Sequence, residues 1–179
     1  MSKRTLIFDT ETTSLIKNSA QRLDKQPHII EFFGLTLNEE LEEVEVWQSL
    51  FSHHKPLPED TIRITGITDD IIAGAPFFFT KAEEIKAHIE SHDCVAAHNL
   101  NYDMSVVDFE MDRANLKVNW PEERICTVEQ TEYLKGFRLS LTALHVYLFE
   151  EEFKNAHRAE GDVRALTKCF IKLKERGDL

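Results

Sequence analysis

The stretch Thr5-Leu6-Ile7-Phe8-Asp9-Thr10-Glu11-Thr12-Thr13 joins an apolar run directly to two carboxylates. An apolar run of this length before polar residues predicts a buried strand that reaches the edge of its sheet. Because side chains two positions apart in a strand point to the same face, Asp9 and Glu11 are expected to project together. Such a pair is self-repelling, and the nearest basic residues, Lys3 and Arg4, lie at the far end of the strand. A divalent metal ion would supply the missing positive charge.

An ordinary turn is the alternative interpretation of this pair. Asp and Thr are frequent where a strand enters a turn, because their side chains bond to nearby backbone groups. A single Asp-x-Glu therefore does not identify a metal site. Further acidic residues from other parts of the chain are needed to decide.

The length of 179 residues predicts a single domain spanning residues 1–179. The sequence contains no apolar stretch near the ~20 residues of a membrane-spanning helix, and its first apolar run is too short for a signal peptide. We therefore expect no membrane association and a cytoplasmic location.

The cysteines Cys94, Cys126 and Cys169 are odd in number, widely separated and set in apolar surroundings. This pattern favours buried free thiols in a reducing compartment. Cys94-x-x-x-His98 lacks a second Cys or His pair at ligand spacing, so a zinc site is not expected.

The formal net charge of −11 argues against a broad surface for nucleic-acid phosphates. Nonspecific binding of that kind depends on clustered Lys and Arg side chains. The charge does not exclude an enzyme that reaches one strand end through metal ions.

Patterns of apolar residues predict five strands. The first begins with the apolar run 5–8 and reaches the carboxylates, and the others lie at residues 29–37, 44–50, 94–97 and 125–126. A polar loop, Ser14 to Gln26, connects the first two. Helices are predicted from the capping box Thr80-x-x-Glu83 to about Ser91, after residue 100, after a cap at Thr127, from Ser140, and along an apolar stripe over residues 163–173. Three antiparallel strands followed by alternating helices and strands predict an α/β fold, a mixed five-stranded sheet flanked by helices.

Two further polar segments stand next to predicted elements. His98-Asn99-Leu100-Asn101-Tyr102-Asp103 follows the fourth strand, and ligand-binding groups gather at such strand ends. His157-Arg158-Ala159-Glu160-Gly161-Asp162 precedes the last amphipathic helix. Each segment alone has a structural explanation, because acids are favoured in the first turn of a helix.

Taken in order, Phe8 to Thr13, His98 to Asp103 and His157-x-Ala159-x-x-Asp162 resemble the three exonuclease motifs of the DEDDh, or DnaQ-like, family. That family includes the proofreading epsilon subunit of bacterial replicative DNA polymerase. Arg63-Ile64-Thr65-Gly66-Ile67-Thr68 is similar to the family's His-Gly-Ile-Thr segment, and Ile30-Glu31 and Ile125-Cys126-Thr127 also fall at similar positions. The resemblance covers nearly the whole chain. Thr65 stands where many members have His, and Ser14 where Gly is common, which bears on the preferred strand end.

The resemblance implies a ribonuclease H-like fold and a metal-dependent 3′→5′ exonuclease. Its substrate would be the 3′ end of single-stranded or frayed DNA, and its products nucleoside 5′-monophosphates, in proofreading or repair. Two Mg²⁺ or Mn²⁺ ions are implied, held by Asp9, Glu11 and Asp162. Asp103 would assist the second ion directly or through water, and His157 would be the general base.

The predicted substrate-binding residues lie in or beside the motifs: Thr10, Thr12, Leu15, Thr65, Gly66, Ile67 and Asn99. Leu15, Ile67 and Phe109 are candidates to pack against a base, with a role in the core as the equal alternative. Phe77-Phe78-Phe79 is predicted to pack into the core, with a base-stacking platform as the alternative.

Two other functions stay open. The same reaction could act on RNA ends, since nothing in the sequence identifies a contact to a 2′-hydroxyl. A noncatalytic binding module would lack a metal ligand or the base, whereas all of these positions are filled here. Association with a DNA polymerase as one of its subunits also stays open.

Overall fold

The computed structural model describes residues 3–17, 22–154 and 156–179. Within these ranges five strands form one mixed sheet: β1 (Thr5–Thr12), β2 (Ile29–Leu37), β3 (Glu43–Leu50), β4 (Cys94–Ala97) and β5 (Glu123–Cys126). The strand order is β3-β2-β1-β4-β5, with β1 antiparallel to β2 and parallel to β4. The predicted mixed five-stranded α/β sheet is confirmed.

The helices flank this sheet on both faces. They are α1 (Glu59–Thr65), α2 (Asp69–Ile72), α3 (Phe78–Glu90), α4 (Leu100–Arg113), α5 (Thr127–Gln130), α6 (Leu141–Phe149) and α7 (Ala159–Arg176), with short 3₁₀ turns at Leu23–Lys25 and Glu132–Leu134. Among the residues that the structure describes, no helix combines the length and apolar character needed to cross a membrane.

Alternate residues of β1 point to opposite faces of the sheet, and both faces are covered. Leu6 and Phe8 pack with α3 and α4 in one core cluster, whereas Ile7 packs with α7 in a second. A strand that is buried on both faces has a continuous apolar sequence, which explains the run Leu6-Ile7-Phe8. This alternation also decides on which face each polar residue at the end of β1 emerges.

The apolar stripes predicted for the helices are confirmed. Ala82, Ile85 and Ile89 of α3 are buried, as are all five predicted stripe residues of α7: Val163, Leu166, Cys169, Phe170 and Leu173. The Ser140 hydroxyl accepts a hydrogen bond from the backbone N–H of Ala143, so α6 begins as expected. The three cysteines are buried and free.

Strand β1 is longer than its apolar run. Its pairing with β2 continues through Asp9 opposite Phe33 and Glu11 opposite Glu31, with an irregularity only between Glu11 and Thr12. Asp9 and Glu11 therefore lie within the strand, as their expected projection to one face requires, and the sheet itself holds them. Residues 18–21 of the predicted Ser14 to Gln26 loop lie outside the described residues.

Two predicted helix caps are wrong. α3 begins at Phe78, so Thr80 lies inside its first turn, where its hydroxyl donates to the carbonyl of Phe77 at 2.7 Å. Thr127 is the first residue of α5 instead of its cap, and its hydroxyl donates to the Ala97 carbonyl at 3.4 Å. The short helices α1 and α2 were not predicted, because seven and four residues show little periodicity.

Candidate active site

The end of β1 places Asp9 and Glu11 on the sheet face that α7 covers, because both lie an even number of residues from Ile7. Asp162, in the first turn of α7, meets them there. Carboxylate oxygens of Asp9, Glu11 and Asp162 lie within 4.8 Å of one another, and all three side chains are partly buried. Two residues from one strand and one from the last helix thus form a carboxylate cluster.

Asp103 emerges on the other face of the sheet, where α4 packs. Its Oδ1 accepts hydrogen bonds from the backbone N–H of Thr10 at 3.1 Å and from the Thr10 hydroxyl at 2.8 Å. Thr10 points to this face because it stands between Asp9 and Glu11. The structure therefore joins Asp103 to the strand through Thr10 and leaves it outside the close group of three carboxylates.

Burial and mutual repulsion make these acids hard to ionise. Burial, with the charges of Asp162 and Glu31, raises the pKa of Glu11 to about 8. Burial and the neighbouring charge of Asp103 raise the pKa of Asp9 well above its usual range.

The other two acids are held in a balance of opposing effects. Burial raises the pKa of Asp103 to about 7 despite the hydrogen bonds from Thr10. Burial also raises the pKa of Asp162 to about 6, although the His157 backbone N–H, which donates to Asp162 Oδ2 at 3.1 Å, acts in the opposite direction. Only a nearby positive charge would allow all four to be ionised at neutral pH.

The cluster fits a divalent cation. Within residues 3–17, 22–154 and 156–179, no Lys or Arg side chain forms an ion pair with Asp9, Glu11 or Asp162. Their donor atoms are carboxylate oxygens without thiolate or imidazole, the set that Mg²⁺ and Mn²⁺ prefer. The repulsion that raises their pKa values is the repulsion that such ions would relieve.

A further carboxylate, that of Glu31 on β2, lies beside the cluster. It lies opposite Glu11 in the strand register and is buried. Arg158 donates to it from Nε at 3.1 Å and from Nη2 at 2.8 Å, and the backbone N–H of Ala159 donates at 3.1 Å. This pair fixes the start of α7, and with it Asp162, against the strand next to Glu11.

His157 lies beside the cluster, where its backbone N–H and the charge of its ring both act to lower the pKa of Asp162. Its N–H bonds to Asp162, but its side chain is exposed and the residue has a left-handed backbone with φ of 65°. The imidazole lines neither of the two large cavities of the described region. The structure thus places the predicted base beside Asp162, with its side chain exposed to solvent.

A cavity of about 760 Å³ opens beside Glu11, and we call it the site cavity. Its walls include five of the predicted substrate-binding residues: Thr10, Thr12, Leu15, Thr65 and Asn99. Leu15 is 79% exposed, which is unusual for leucine. Asn99 is exposed and adopts a left-handed backbone with φ of 83° at the start of α4.

Several predicted substrate contacts are occupied by the fold instead. Ile67 is 0% exposed and packs in the core with Ile30, Leu57 and Ile72, so the prediction that its side chain contacts a base is wrong. The Thr65 hydroxyl donates to Thr61 and accepts from the Ile67 N–H.

Thr10 borders the site cavity, but its backbone N–H and its hydroxyl both donate to Asp103. The hydroxyl of Thr12 contacts Tyr102 at 2.7 Å. Gly66 is exposed with φ of 69° and ends α1, where its N–H bonds to the Ile62 carbonyl.

The aromatic candidates divide between core and surface. Phe109 packs against the main core, and Phe78 is buried. Phe79 is 60% exposed and stacks on Phe77, which stacks in turn on His54. The prediction that the Phe77–Phe79 run packs into the core therefore holds for Phe78 alone.

Sequence reasoning gave no role to four residues that shape the site: Glu31, Arg158, Tyr102 and Ile64. Ile64 is 48% exposed and lines the site cavity together with Tyr102. A charged residue inside the apolar run Ile29-Ile30-Glu31-Phe32-Phe33 was the available signal for Glu31. The contact with Arg158 spans 127 positions and has no local pattern.

The chain is similar to known exonucleases in sequence. The RNase_T family model, described as Exonuclease, matches residues 6–170. The epsilon subunit of DNA polymerase III from Pasteurella multocida is 28% identical over 175 residues, covering 94% of this chain and 67% of that protein. The 3′-5′ exonuclease DinG of Staphylococcus epidermidis is 25% identical over 148 residues, but the chain spans only 16% of its length.

Solved structures with the same fold have lower identity. The nuclease domain of 3′hExo, a DEDDh family member bound to rAMP, has a TM-score of 0.79 at 16% identity, covering 98% of this chain and 94% of that one. The zinc-bound E. coli ExoI–ssDNA complex has a TM-score of 0.78 at 18% identity, covering 97% of this chain and 41% of that one. These similarities confirm the predicted ribonuclease H-like fold.

Proposed function

Because the chain belongs to the RNase_T exonuclease family and is a 3′→5′ exonuclease of its DEDDh, or DnaQ-like, type, we propose that it acts on the 3′ end of single-stranded or frayed DNA and releases nucleoside 5′-monophosphates. The observation that carries this proposal is the cluster of Asp9, Glu11 and Asp162, of which Glu11 lines the site cavity. The whole chain, residues 1–179, would act as one exonuclease domain.

Two ions, Mg²⁺ or Mn²⁺, would be held by Asp9, Glu11 and Asp162, with Asp103 assisting directly or through water. When bound, such ions neutralise charge on the phosphate and activate water for attack. Thr10 orients the Asp103 carboxylate, and the Arg158–Glu31 pair holds Asp162 in place. The protein thus supplies a rigid set of carboxylates, which is what positioning of a phosphate requires.

His157 would take the proton from the attacking water. An imidazole is the side chain that most often serves as a general base at neutral pH. Since its ring lies in solvent, the short segment before α7 would have to turn the ring toward the carboxylates when substrate binds. The backbone N–H of His157 already contacts Asp162 in this structure, so the required movement of the ring is local.

The site cavity would hold the terminal nucleoside. Leu15 and Ile64 present exposed apolar surface on its walls, and Tyr102 and Asn99 add polar groups. Exposed apolar side chains that gain cover only from a ligand are typical of base contacts in single-strand binding. We assign the base contact to Leu15 and Ile64 in place of Ile67.

DNA is favoured over RNA because the curated relatives named above include a subunit of DNA polymerase III. The same relation supports a role in replication or repair next to a polymerase. The buried free thiols of the described region support a reducing compartment such as the cytoplasm.

The proposal is tested with matched single-stranded DNA and RNA of one sequence, labelled at the 5′ end, together with a mismatched primer. With Mg²⁺ or Mn²⁺ we expect DNA to shorten stepwise from its 3′ end and faster than RNA. The mismatched primer should shorten faster than the matched duplex. Faster shortening of RNA would identify an exoribonuclease, and no shortening of either strand would overturn the proposal.

A further inference from the structure

A second large cavity lies beside the site cavity, and we call it the basic cleft. Its volume is about 910 Å³, and it lies between the end of α1, residues 151–154 and 156, and the first turns of α7. Five basic side chains line it: Arg63, Lys154, Arg158, Arg164 and Lys168. The cleft adjoins the carboxylate cluster, because Gly161 on its wall precedes Asp162.

The two cavities share a wall. Arg63, Ile64 and Thr65 border both, and Arg63 and Ile64 are exposed, so the two cavities adjoin along an accessible edge. Gly161, Arg164, Ala165 and Lys168 form one face of α7 at helical spacing. Lys168 lies six residues beyond Asp162, about 9 Å along the helix axis at 1.5 Å per residue.

The charge of the basic cleft is opposite to that of the chain. The whole sequence carries 32 acidic and 21 basic residues, yet the cleft has five basic side chains and three acidic ones, Glu151, Glu152 and Glu160. Glu160 is paired with Arg164 at 2.8 Å. In the part of the chain that the structure describes, Lys154 and Lys168 form no ion pair, so their charges are available to a ligand.

The segment that carries Lys154, residues 151–154, is held by contacts with His145 of α6. His145 is buried, and its Nδ1 donates to the carbonyl of Glu151 at 2.8 Å. The ring of Phe153 packs against the same imidazole, with centroids 5.4 Å apart. The wall of the cleft at residues 151–154 is therefore fixed to α6 and holds its lysine in place.

We propose that the basic cleft binds the phosphates of the nucleotides on the 5′ side of the bond that is cut. This inference rests on the proposed exonuclease function and extends it from the terminal nucleotide to the strand behind it. Lys154 and Lys168 make the main contacts, with Arg63 at the shared wall. Arg158 contributes less, because its guanidinium is already bound to Glu31. A negatively charged protein thereby holds a single strand through one local concentration of positive charge.

The test compares a Lys154→Gln/Lys168→Gln double variant with Lys81→Gln/Lys174→Gln, which removes the same charge outside the cleft. For each protein, kcat/KM is measured on a dinucleotide and on an octanucleotide of thymidylate, at constant Mg²⁺ and rising monovalent salt. Binding of a nuclease-resistant phosphorothioate octanucleotide, measured by fluorescence anisotropy with Ca²⁺, gives a readout that needs no hydrolysis.

We expect wild-type kcat/KM to rise from the dinucleotide to the octanucleotide, and the cleft variant to lose most of this rise. For the cleft variant, the slope of log affinity against log salt concentration should be shallower than for the wild type, by about 0.7 for each phosphate contact removed. The control variant should keep both the rise and the slope. A cleft variant that matches the control would overturn the inference and leave the proposed function standing. Lysine-dependent binding without hydrolysis by the wild type would support the cleft and overturn the function.

Discussion

The guanidinium of Arg158 forms two hydrogen bonds with the carboxylate of Glu31, at 3.1 and 2.8 Å, across 127 positions of sequence. Glu31 lies opposite Glu11 in the sheet, and Arg158 stands one residue before α7, which carries Asp162. The pair thus connects the two elements that supply the carboxylate cluster. The pair has opposing effects on the cluster, since the charge of Glu31 raises the pKa of Glu11 and the charge of Arg158 lowers it.

Arg158→Ala should lower stability and activity together, because it leaves Glu31 buried without its partner. We expect a loss of about 1–3 kcal/mol in the free energy of unfolding, measured by urea denaturation. Arg158→Lys should restore part of it. The control Arg164→Ala removes an exposed pair with Glu160 and should cost no more than about 1 kcal/mol. Equal losses in the two alanine variants would show that the Glu31 contact has no special weight.

Thr10→Val removes the hydroxyl that donates to Asp103 at 2.8 Å and keeps the shape of the side chain. Because Asp103 is buried, we expect a stability loss of about 1–3 kcal/mol and a fall in kcat. Thr12→Val, whose hydroxyl contacts Tyr102 at the partly exposed mouth of the cavity, is the matched control and should cost less. A Thr10 variant that changes KM but not kcat would favour the original prediction that Thr10 contacts substrate.

Glu11→Gln should stabilise the metal-free protein increasingly as pH rises. The pKa of Glu11 is raised from 4.5 to about 8, so the folded state binds its proton more tightly than the unfolded state does. Between these values the contribution of Glu11 to the free energy of unfolding of the wild type falls with pH, by linkage. Buried His92 and His98, whose pKa is lowered to about 4, act in the opposite direction below 6.5, but equally in both proteins.

The measurement is the difference in Tm between Glu11→Gln and wild type in EDTA across this pH range. The difference should grow toward pH 8 and shrink or reverse when Mg²⁺ or Mn²⁺ is added, because bound cations stabilise the ionised cluster. A difference that stays constant with pH would contradict the charged-cluster account.

His157→Asn tests the proposed base with little effect on the backbone, since Asn tolerates the left-handed conformation found there. We expect kcat to fall by about 10²–10⁴-fold, the usual contribution of a general base. Because the side chain is exposed, the free energy of unfolding should change by no more than about 0.5 kcal/mol. Activity within twofold of the wild type would exclude His157 as the base.

Local pattern was sufficient for the parts of the fold that repeat with a fixed period. β2 was predicted with its exact bounds, and the buried stripe of α7 residue by residue. The apolar run of β1 does not by itself show where the strand ends, because the polar residues from Asp9 to Thr12 stay in it through pairing with β2, which no local pattern reports.

The site was predictable where the motif residues contact one another. It was not predictable where a residue's position depends on packing against residues that are distant in sequence. Asp9, Glu11 and Asp162 come together, as their resemblance to the DEDDh motifs implied. Ile67 was misassigned because its burial depends on Ile30 and Ile72, and Glu31 was overlooked because its partner lies in another motif.

We propose that the cluster of Asp9, Glu11 and Asp162, with divalent metal ions, hydrolyses a strand from its 3′ end. The most direct test follows a 5′-labelled single-stranded oligonucleotide with the wild type, with Asp9→Ala/Glu11→Ala, and with the exposed control Glu39→Ala/Glu40→Ala. The account predicts a ladder of shortened labelled products with Mg²⁺ or Mn²⁺ for the wild type and the control, and none in EDTA or with the Asp9/Glu11 variant. Products that persist in EDTA or in that variant, or release of the 5′ label as the first product, would contradict it.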